Sequence, residues 1–322
     1  MSEAAQLKEL SGKINQARSE IAKMVIGQDN VIDLTMTTLM AGGHVLLIGA
    51  PGLAKTLLVT TVAQVMGLSS NRIQCTPDLM PSDILGSEVL EEENGKRAFR
   101  FIAGPIFTQF LMADEINRAS PRTQSALLQA MQEGYVSIAG QHHQLPSPFH
   151  VLATQNPIEQ EGTYPLPEAQ LDRFLMQIDV DYPDETAERK ILLATTGNEI
   201  PNIKTIFTGE DLINIQKLVR DMPIGEKTLD AIVTLVRRAR PGEEAIDLIN
   251  DYVEWAPGPR ASQALALACR AKALLDGRTA PSNDDVLDLA EPILKHRMAL
   301  NYKAQANGIT IKDIIAAISK DI

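Results

Sequence analysis

Five short strand-like runs recur through the first 180 residues of this 322-residue chain, and they constrain its fold more than any other feature. They are HVLLIGA (44–50), Arg72 to Thr76, Phe110 to Ala113, His150 to Thr154 and Met176 to Val180. Each is too short for a helix and is bounded by helical patterns or loops. Strands interleaved with helices imply an α/β fold, a mostly parallel sheet with helices on both faces. Ligands of such sheets sit beyond the carboxyl ends of the strands. An amphipathic helix precedes the first run. Past Pro183 the strand signal disappears and the pattern turns helical. TGEDLINIQKLV and PSNDDVLDLAEPILKHRM open like capping boxes, with Thr208 three residues before Asp211 and Ser282 three before Asp285. Pro292 is expected to kink or interrupt the latter helix. The expected organisation is an α/β domain over residues 1–183 followed by a smaller all-helical domain over 184–322.

The first run feeds into GAPGLAKT, which follows the form G-x-x-x-x-G-K-[ST] at Gly49, Lys55 and Thr56 but has Ala54 at the second glycine position. In such a loop the backbone N–H groups point at phosphates, the lysine reaches the terminal phosphates and the hydroxyl binds magnesium. Gly49 and Gly52 remain at the turns, and Pro51 would stiffen the loop. If the backbone at residue 54 is near helical geometry, alanine fits and has the better helix propensity. The expected cradle runs through Gly49, Ala50, Pro51, Gly52, Leu53, Ala54, Lys55, Thr56 and Leu57.

A second element, FLMADEINRA, is an apolar strand ending in Asp114 and Glu115. An aspartate there can hold magnesium through water, and the adjacent glutamate can orient or deprotonate an attacking water. The run HVLATQNP ends at Asn156, which could hydrogen-bond that water or the γ-phosphate; an ordinary Asn-Pro turn is the alternative. In LPEAQLDRF, Arg173 stands just before the fifth strand, where a cation could stabilise charge on a transferring phosphoryl group, or form a salt bridge with Asp172 or Glu168.

Charge narrows the partners. The net charge is −11, and residues 1–182 carry 12 Lys and Arg against 20 Asp and Glu, so no basic surface for a polyphosphate backbone is expected and nucleic acid is disfavoured. No run approaches the roughly 18 apolar residues of a membrane span, which points to a cytoplasmic protein. Cys75 and Cys269 lie far apart with no further ligand at metal spacing and are expected to be two buried thiols.

Taken together, GAPGLAKT, LMADEINRASPRTQSALLQAMQE, ATQNP and LPEAQLDRF resemble the MoxR family of AAA+ ATPases, in which alanine at the position of Ala54 is characteristic. The segment GPRASQAL resembles the lid of that family. The resemblance implies a P-loop AAA+ core and helical lid that bind ATP and Mg2+. It makes Lys55 and Thr56 the Walker A pair, Asp114 and Glu115 the Walker B pair, Asn156 sensor 1, Arg173 the arginine finger and Arg260 the sensor 2 arginine. Val25, Ile26, Gly27 and Gln28 resemble the segment lining the adenine pocket. It further implies a homo-oligomeric, hexameric ring acting as a chaperone on a protein client, often with a von Willebrand factor A domain partner. A nucleotide-switched scaffold and a metal-chelatase-type ATPase subunit are the alternatives.

Two hairpins complete the expectation. LMPSDILGSEVLEEENGKRAFRFIAGPIF carries a turn-like EENGK and resembles an insert in the helix after the second strand. GYVSIAGQHHQLPSPFHVLA resembles the hairpin before sensor 1, yet 134–150 contains no Lys or Arg, which argues against movement along nucleic acid. His142 and His143 are adjacent, so on a strand they face opposite sides; they are expected as solvent-facing turn residues rather than a metal pair. The helix after Ser120 is expected to start at Pro121, end at Gly134 and pack Leu127, Leu128 and Met131 in the core.

Overall fold

A computed structural model of the chain describes residues 3–93, 96–158, 162–197, 201–243, 245–320 and 322. The α/β part contains helices α1 (Glu3–Ala22), α2 (Asp29–Met40), α3 (Lys55–Val65), α4 (Pro81–Leu85), α5 (Pro121–Glu133) and α6 (Glu168–Leu171). Its strands are β1 (Val45–Gly49), β2 (Ser70–Gln74), β3 (Gly86–Glu93), β4 (Lys96–Ala103), β5 (Phe110–Asp114), β6 (Tyr135–Ile138), β7 (Gln141–Gln144), β8 (His150–Gln155) and β9 (Met176–Val180). Helices α7 (Glu185–Thr196), α8 (Gly209–Asp221), α9 (Glu226–Arg238), α10 (Asp247–Tyr252), α11 (Pro259–Leu275), α12 (Asn283–Leu294), α13 (Tyr302–Ala306) and α14 (Ile311–Ile318) follow. The expectation of a wholly helical second part needs one correction, because β10 (Val253–Trp255) and β11 (Ala299–Leu300) form a short antiparallel pair within it.

Five strands form one parallel sheet in the order β2-β5-β8-β1-β9. Side chains on a strand alternate between faces, and here each face has its own core. Val45, Leu47, Phe110 and Met112 join α1, α2 and α3 on one face, while Leu46, Leu111 and Ala113 join Leu127, Leu128 and Val136 on the other. The first core continues without a break into the second part through Leu235, Leu265, Leu289 and Ile293. Every residue of β5 is buried, whereas the edge strand β2 buries only Ile73 and leaves its polar side chains outward.

Local signals set the helix ends. Ser120 caps α5 by accepting from Thr123 N at 3.3 Å, Pro121 is its first residue and Gly134 ends it at φ 71°. Leu127, Leu128 and Met131 are buried. Thr208 and Asp211 form the reciprocal capping box of α8, and at α12 Ser282 N donates to Asp285 Oδ2 at 2.8 Å. Pro292 does not stop α12, which runs two residues further and then tightens into a 3₁₀ turn at Lys295–Arg297.

The strands β3 and β4 pair in register from Gly86↔Ala103 to Glu93↔Lys96, and residues 94 and 95 of the expected turn lie outside the described residues. The insert follows the five-residue α4 and leads into β5 with no helix resuming after it among the described residues. The hairpin β6–β7 turns at Ala139 (φ 48°) and Gly140 (φ 82°), two successive left-handed residues that match the strand twist. His142 and His143 lie on β7, not in the turn. His142 is exposed against Ser137, but His143 stacks on Phe101 with ring centroids 3.8 Å apart, so only the first faces solvent as expected. Cys75 and Cys269 are buried free thiols.

A half-buried histidine, His44, and a buried one, His150, at the amino ends of β1 and β8 make stability pH-dependent. His44 Nδ1 accepts from Val151 N at 3.0 Å, and His150 Nδ1 lies 2.8 Å from Gly43 O. Burial pushes His44 down to about 3, helped by the neighbouring His150, and burial pushes His150 down to about 4. The unfolded chain therefore binds more protons below about pH 6.5, so stability is full above that pH and falls on acidification. The expected slope is roughly 1.4 kcal/mol per pH unit for each histidine between pH 6 and 4. Denaturant melts of the His44→Asn, His150→Asn double variant should show this slope reduced, and an unchanged slope would refute the assignment.

Candidate functional site

Strand β1 delivers the chain to the phosphate loop at Gly49, where a Cβ would stand 2.7 Å from Val180 O on neighbouring β9. Only glycine fits that approach. Ala50, exposed Pro51, Gly52 at φ 83° and Leu53, which packs against the first core, carry the loop to Ala54. Ala54 sits at φ 56°, ψ 20°. The expectation of near-helical geometry there is overturned: the residue is in the mirror-image region, the conformation for which a glycine is the natural occupant. Alanine is held there because its carbonyl starts the helix, accepting from Leu58 N at 2.9 Å. Replacing Ala54 with Gly should therefore stabilise the protein by about 1 kcal/mol, read from the denaturation midpoint. A destabilised variant would contradict the left-handed backbone.

Helix α3 begins at Lys55 with no side-chain cap, which leaves its first-turn N–H groups to an anionic ligand. Thr56 and Leu57 belong to that turn. The ammonium of Lys55 donates to Gly49 O at 2.6 Å. Burial lowers its pKa, and the charges of Asp114 and Glu115 offset part of that, so one space gathers the lysine and both carboxylates.

Asp114 ends β5 and is 9% exposed. Its Oδ1 accepts from the hydroxyl of Thr154, and its Oδ2 accepts from Arg72 Nε at 3.2 Å and Nη2 at 2.5 Å. Glu115 adopts φ 55°, ψ 50°, a conformation costly for a side chain with a Cβ and found preferentially at functional sites. Its N–H donates to Thr154 Oγ1 at 2.9 Å, and its Oε2 accepts from Gln74 Nε2 and Arg118 Nη1, each at 3.0 Å. Thr154, Arg72, Gln74 and Arg118 were not foreseen. Thr154 could have been found, being two residues before Asn156 and so on the same strand face, and Arg118 is a local partner three residues after Glu115; Arg72 and Gln74 depend on which strand lies beside β5.

Asn156 follows β8, is buried, and its Oδ1 accepts from Ile158 N at 3.1 Å. Its carbonyl thus makes the turn, and its Nδ2 carries no bond among the described residues. Of the segment expected to line an adenine pocket, Val25 is buried in the first core, Gln28 Nε2 donates to Asp181 O at 2.9 Å, and Ile26 and Gly27 line a cavity of about 500 Å3 with Asp184 and Ala187. Asp181 follows Val180, the partner of Gly49, so this segment lies beside the start of the phosphate loop.

The two arginines lie elsewhere. Leu175 N donates to His44 O and Met176 pairs with Val45, so Arg173 stands at the amino end of β9, whereas Gly49 pairs with Val180 at its carboxyl end. Five strand residues separate these ends by roughly 16 Å, beyond the reach of an arginine side chain. Arg173 forms no salt bridge with Asp172 or Glu168 among the described residues, and its buried Nε has no partner. Asp172 is engaged instead by Arg297 Nε at 2.7 Å and Arg260 Nη1 at 3.6 Å. Arg297 is 2% exposed and also donates to the carbonyls of Phe174 and Ile293, each at 2.6 Å, so the 3₁₀ turn after α12 clamps the segment that carries Arg173. Arg260, the second residue of α11, joins Arg173 at this end of the sheet.

The donors fit the ligands this arrangement implies. Thr56 and Asp114 offer hard oxygens suited to magnesium, and the uncapped α3 with Lys55 suits a polyphosphate. The parallel sheet, the phosphate loop on β1, the acidic pair on β5 and the helical cap define a P-loop ATPase of the AAA+ class. Residues 44–176 match the AAA model, the ATPase family associated with various cellular activities, and 247–318 match an AAA lid domain. Chaperone MoxR1 of Mycobacterium tuberculosis is 40% identical over 96% of this chain and 81% of its own. Protein MoxR of Methylorubrum extorquens is 30% identical over 94% of this chain and 92% of its own. A crystal structure of a candidate ATPase from Cytophaga hutchinsonii superimposes with a TM-score of 0.91 at 38% identity, covering 99% of this chain and 96% of that one. The chain belongs to the MoxR family of AAA+ ATPases.

Proposed function

We propose that the protein hydrolyses ATP with magnesium at sites shared between subunits of a homo-oligomeric, hexameric ring, and uses the turnover to remodel or activate a protein client. The observation that carries this reading is the separation of the machinery along β1 and β9. Lys55, Asp114 and Glu115 gather at the carboxyl ends of the strands, while Arg173 stands near the amino end and Arg260 pairs with its chain neighbour Asp172 there. One chain cannot bring both sets to one phosphate, but a neighbour can.

In each site the α3 amides and Lys55 bind and orient the phosphates, and Ile26 and Gly27 shape the base pocket. Glu115 accepts the proton of the attacking water, with Asn156 positioning it through Nδ2. Bound magnesium, held by Thr56 and Asp114, would neutralise charge on the phosphoryl oxygens. Arg173 and Arg260 of the adjacent subunit stabilise charge that develops in the transition state.

Client work is supported by the relatives named chaperone and MoxR. Insertion of a cofactor or metal into the client, and a partner bearing a von Willebrand factor A domain, belong to the same proposal. A nucleic-acid client is disfavoured by the net charge of −11 and by the absence of Lys and Arg from 134–150. No helix among the described residues is long and apolar enough to cross a membrane, and we propose a cytoplasmic setting. The test is ATP turnover per chain against protein concentration. Specific activity should rise steeply and then level as rings form; a flat profile would rule out the shared site.

A further inference from the structure

We propose that Arg72 is a built-in competitor of the metal: a surrogate cation that occupies Asp114 and must leave before the carboxylate can serve magnesium. This deepens the proposed function and rests on that assignment of Asp114.

The argument is one of lone pairs. A carboxylate offers about four acceptor positions, two on each oxygen. On Asp114, Thr154 takes one position of Oδ1, and Arg72 takes both of Oδ2 through Nε at 3.2 Å and Nη2 at 2.5 Å. Magnesium reaches such an aspartate directly or through its waters, which donate to the same oxygens. Three of the four positions are thus filled, two of them by Arg72. Thr154 and Arg72 differ in how readily they yield. The Thr154 hydroxyl is buried and also accepts from Glu115 N, whereas the Arg72 side chain is half exposed on edge strand β2. Arg72 is therefore the group that moves, driven by the repulsion between its charge and an arriving dication.

Displacement of Arg72 has a second effect. Its Nη2 also donates to Gln74 Oε1 at 2.8 Å, which turns the Gln74 amide so that Nε2 donates to Glu115. Asp114, Arg72, Gln74 and Glu115 form one chain of bonds across β2 and β5. Filling the metal position breaks the first link and removes the contact that orients the Gln74 amide, so metal loading loosens the Gln74 bond to Glu115, which Arg118 Nη1 still holds at 3.0 Å.

The test measures metal affinity, not turnover. Full-length wild type, Arg72→Gln and Arg72→Lys are saturated with ADP and titrated with Mn2+, followed by electron paramagnetic resonance, and ADP affinity is measured separately in EDTA. Loss of a bidentate, charge-assisted pair with one half-exposed partner should tighten Mn2+ binding by Arg72→Gln about 5- to 30-fold. Arg72→Lys, which keeps the charge but not the fork, should fall between, and it carries the test if the glutamine variant does not fold. Metal-free ADP affinity should stay within about twofold of wild type, since only a charge pair outside the phosphate cradle is changed. In an Asp114→Asn background the Arg72 substitution should have no further effect. Unchanged or weaker Mn2+ binding in the variants would overturn the proposal, as would a loss of metal-free ADP affinity, which would make Arg72 a phosphate ligand. Failure of wild type and variants alike to bind ADP and Mn2+ would instead sink the nucleotide-site reading, and this role of Arg72 with it.

Discussion

Replacing Arg173 with Ala should lower ATP turnover by about 10³-fold or more, the range in which transition-state arginines act, while leaving nucleotide affinity and the fold intact. The fold should survive because the Arg173 Nε has no hydrogen-bond partner and no carboxylate of its own chain pairs with it among the described residues. The clamp around it is made by Arg297 and Asp172, which the substitution leaves in place. The decisive measurement is mixing. Lys55→Ala chains lack the phosphate-binding ammonium but keep Arg173, and Arg173→Ala chains have the reverse defect. Mixed in equal amounts, they should regain a substantial part of wild-type turnover, because some interfaces then combine an intact Lys55 with an intact Arg173. Absence of any regain, with mixed oligomers shown to form, would mean that Arg173 serves its own chain or none.

The second large effect concerns Glu115. Substitution by Gln should leave ATP binding within a few-fold of wild type and reduce turnover by about 10²- to 10⁴-fold, the range for loss of a positioned general base. The amide oxygen can still accept from Gln74 and Arg118, which now hold Oε2 at 3.0 Å, so the local structure should persist. Calorimetric ATP binding and single-turnover hydrolysis separate the two consequences. A variant that turns over at the wild-type rate would remove Glu115 from the chemistry.

How far the site was legible in the sequence varies residue by residue. Gly49, Lys55, Asp114 and Glu115 could be named because strand, loop and helix signals are local and successive. Ala54 was located correctly but its conformation was not, since a residue's φ is set by how the loop closes onto α3, not by its own propensity. The alternative reading of Arg173, a salt bridge with Asp172 or Glu168, finds no such pair among the described residues for a similar reason. Sequence neighbours look like natural ion-pair partners, but Asp172 is claimed by Arg297, 125 residues away. His143 was expected in solvent, and stacks on Phe101 from a hairpin that only the folded chain brings near.

What the chain's sequence determined by itself is the class of structure and the chemistry at the carboxyl ends of its strands: a parallel α/β core, a helical cap, a phosphate loop and an acidic pair. Period-two and helical patterning, together with glycines at tight turns, encode these locally. What only the tertiary structure decided is which strand lies beside which. The order β2-β5-β8-β1-β9 sets Arg72 and Gln74 against the two carboxylates and hangs Thr154 between them, and the packing of the second part brings Arg260 to Asp172 at the opposite end of the sheet. Strand order is fixed by burial of both sheet faces and by long-range pairing, which no window of neighbouring residues contains.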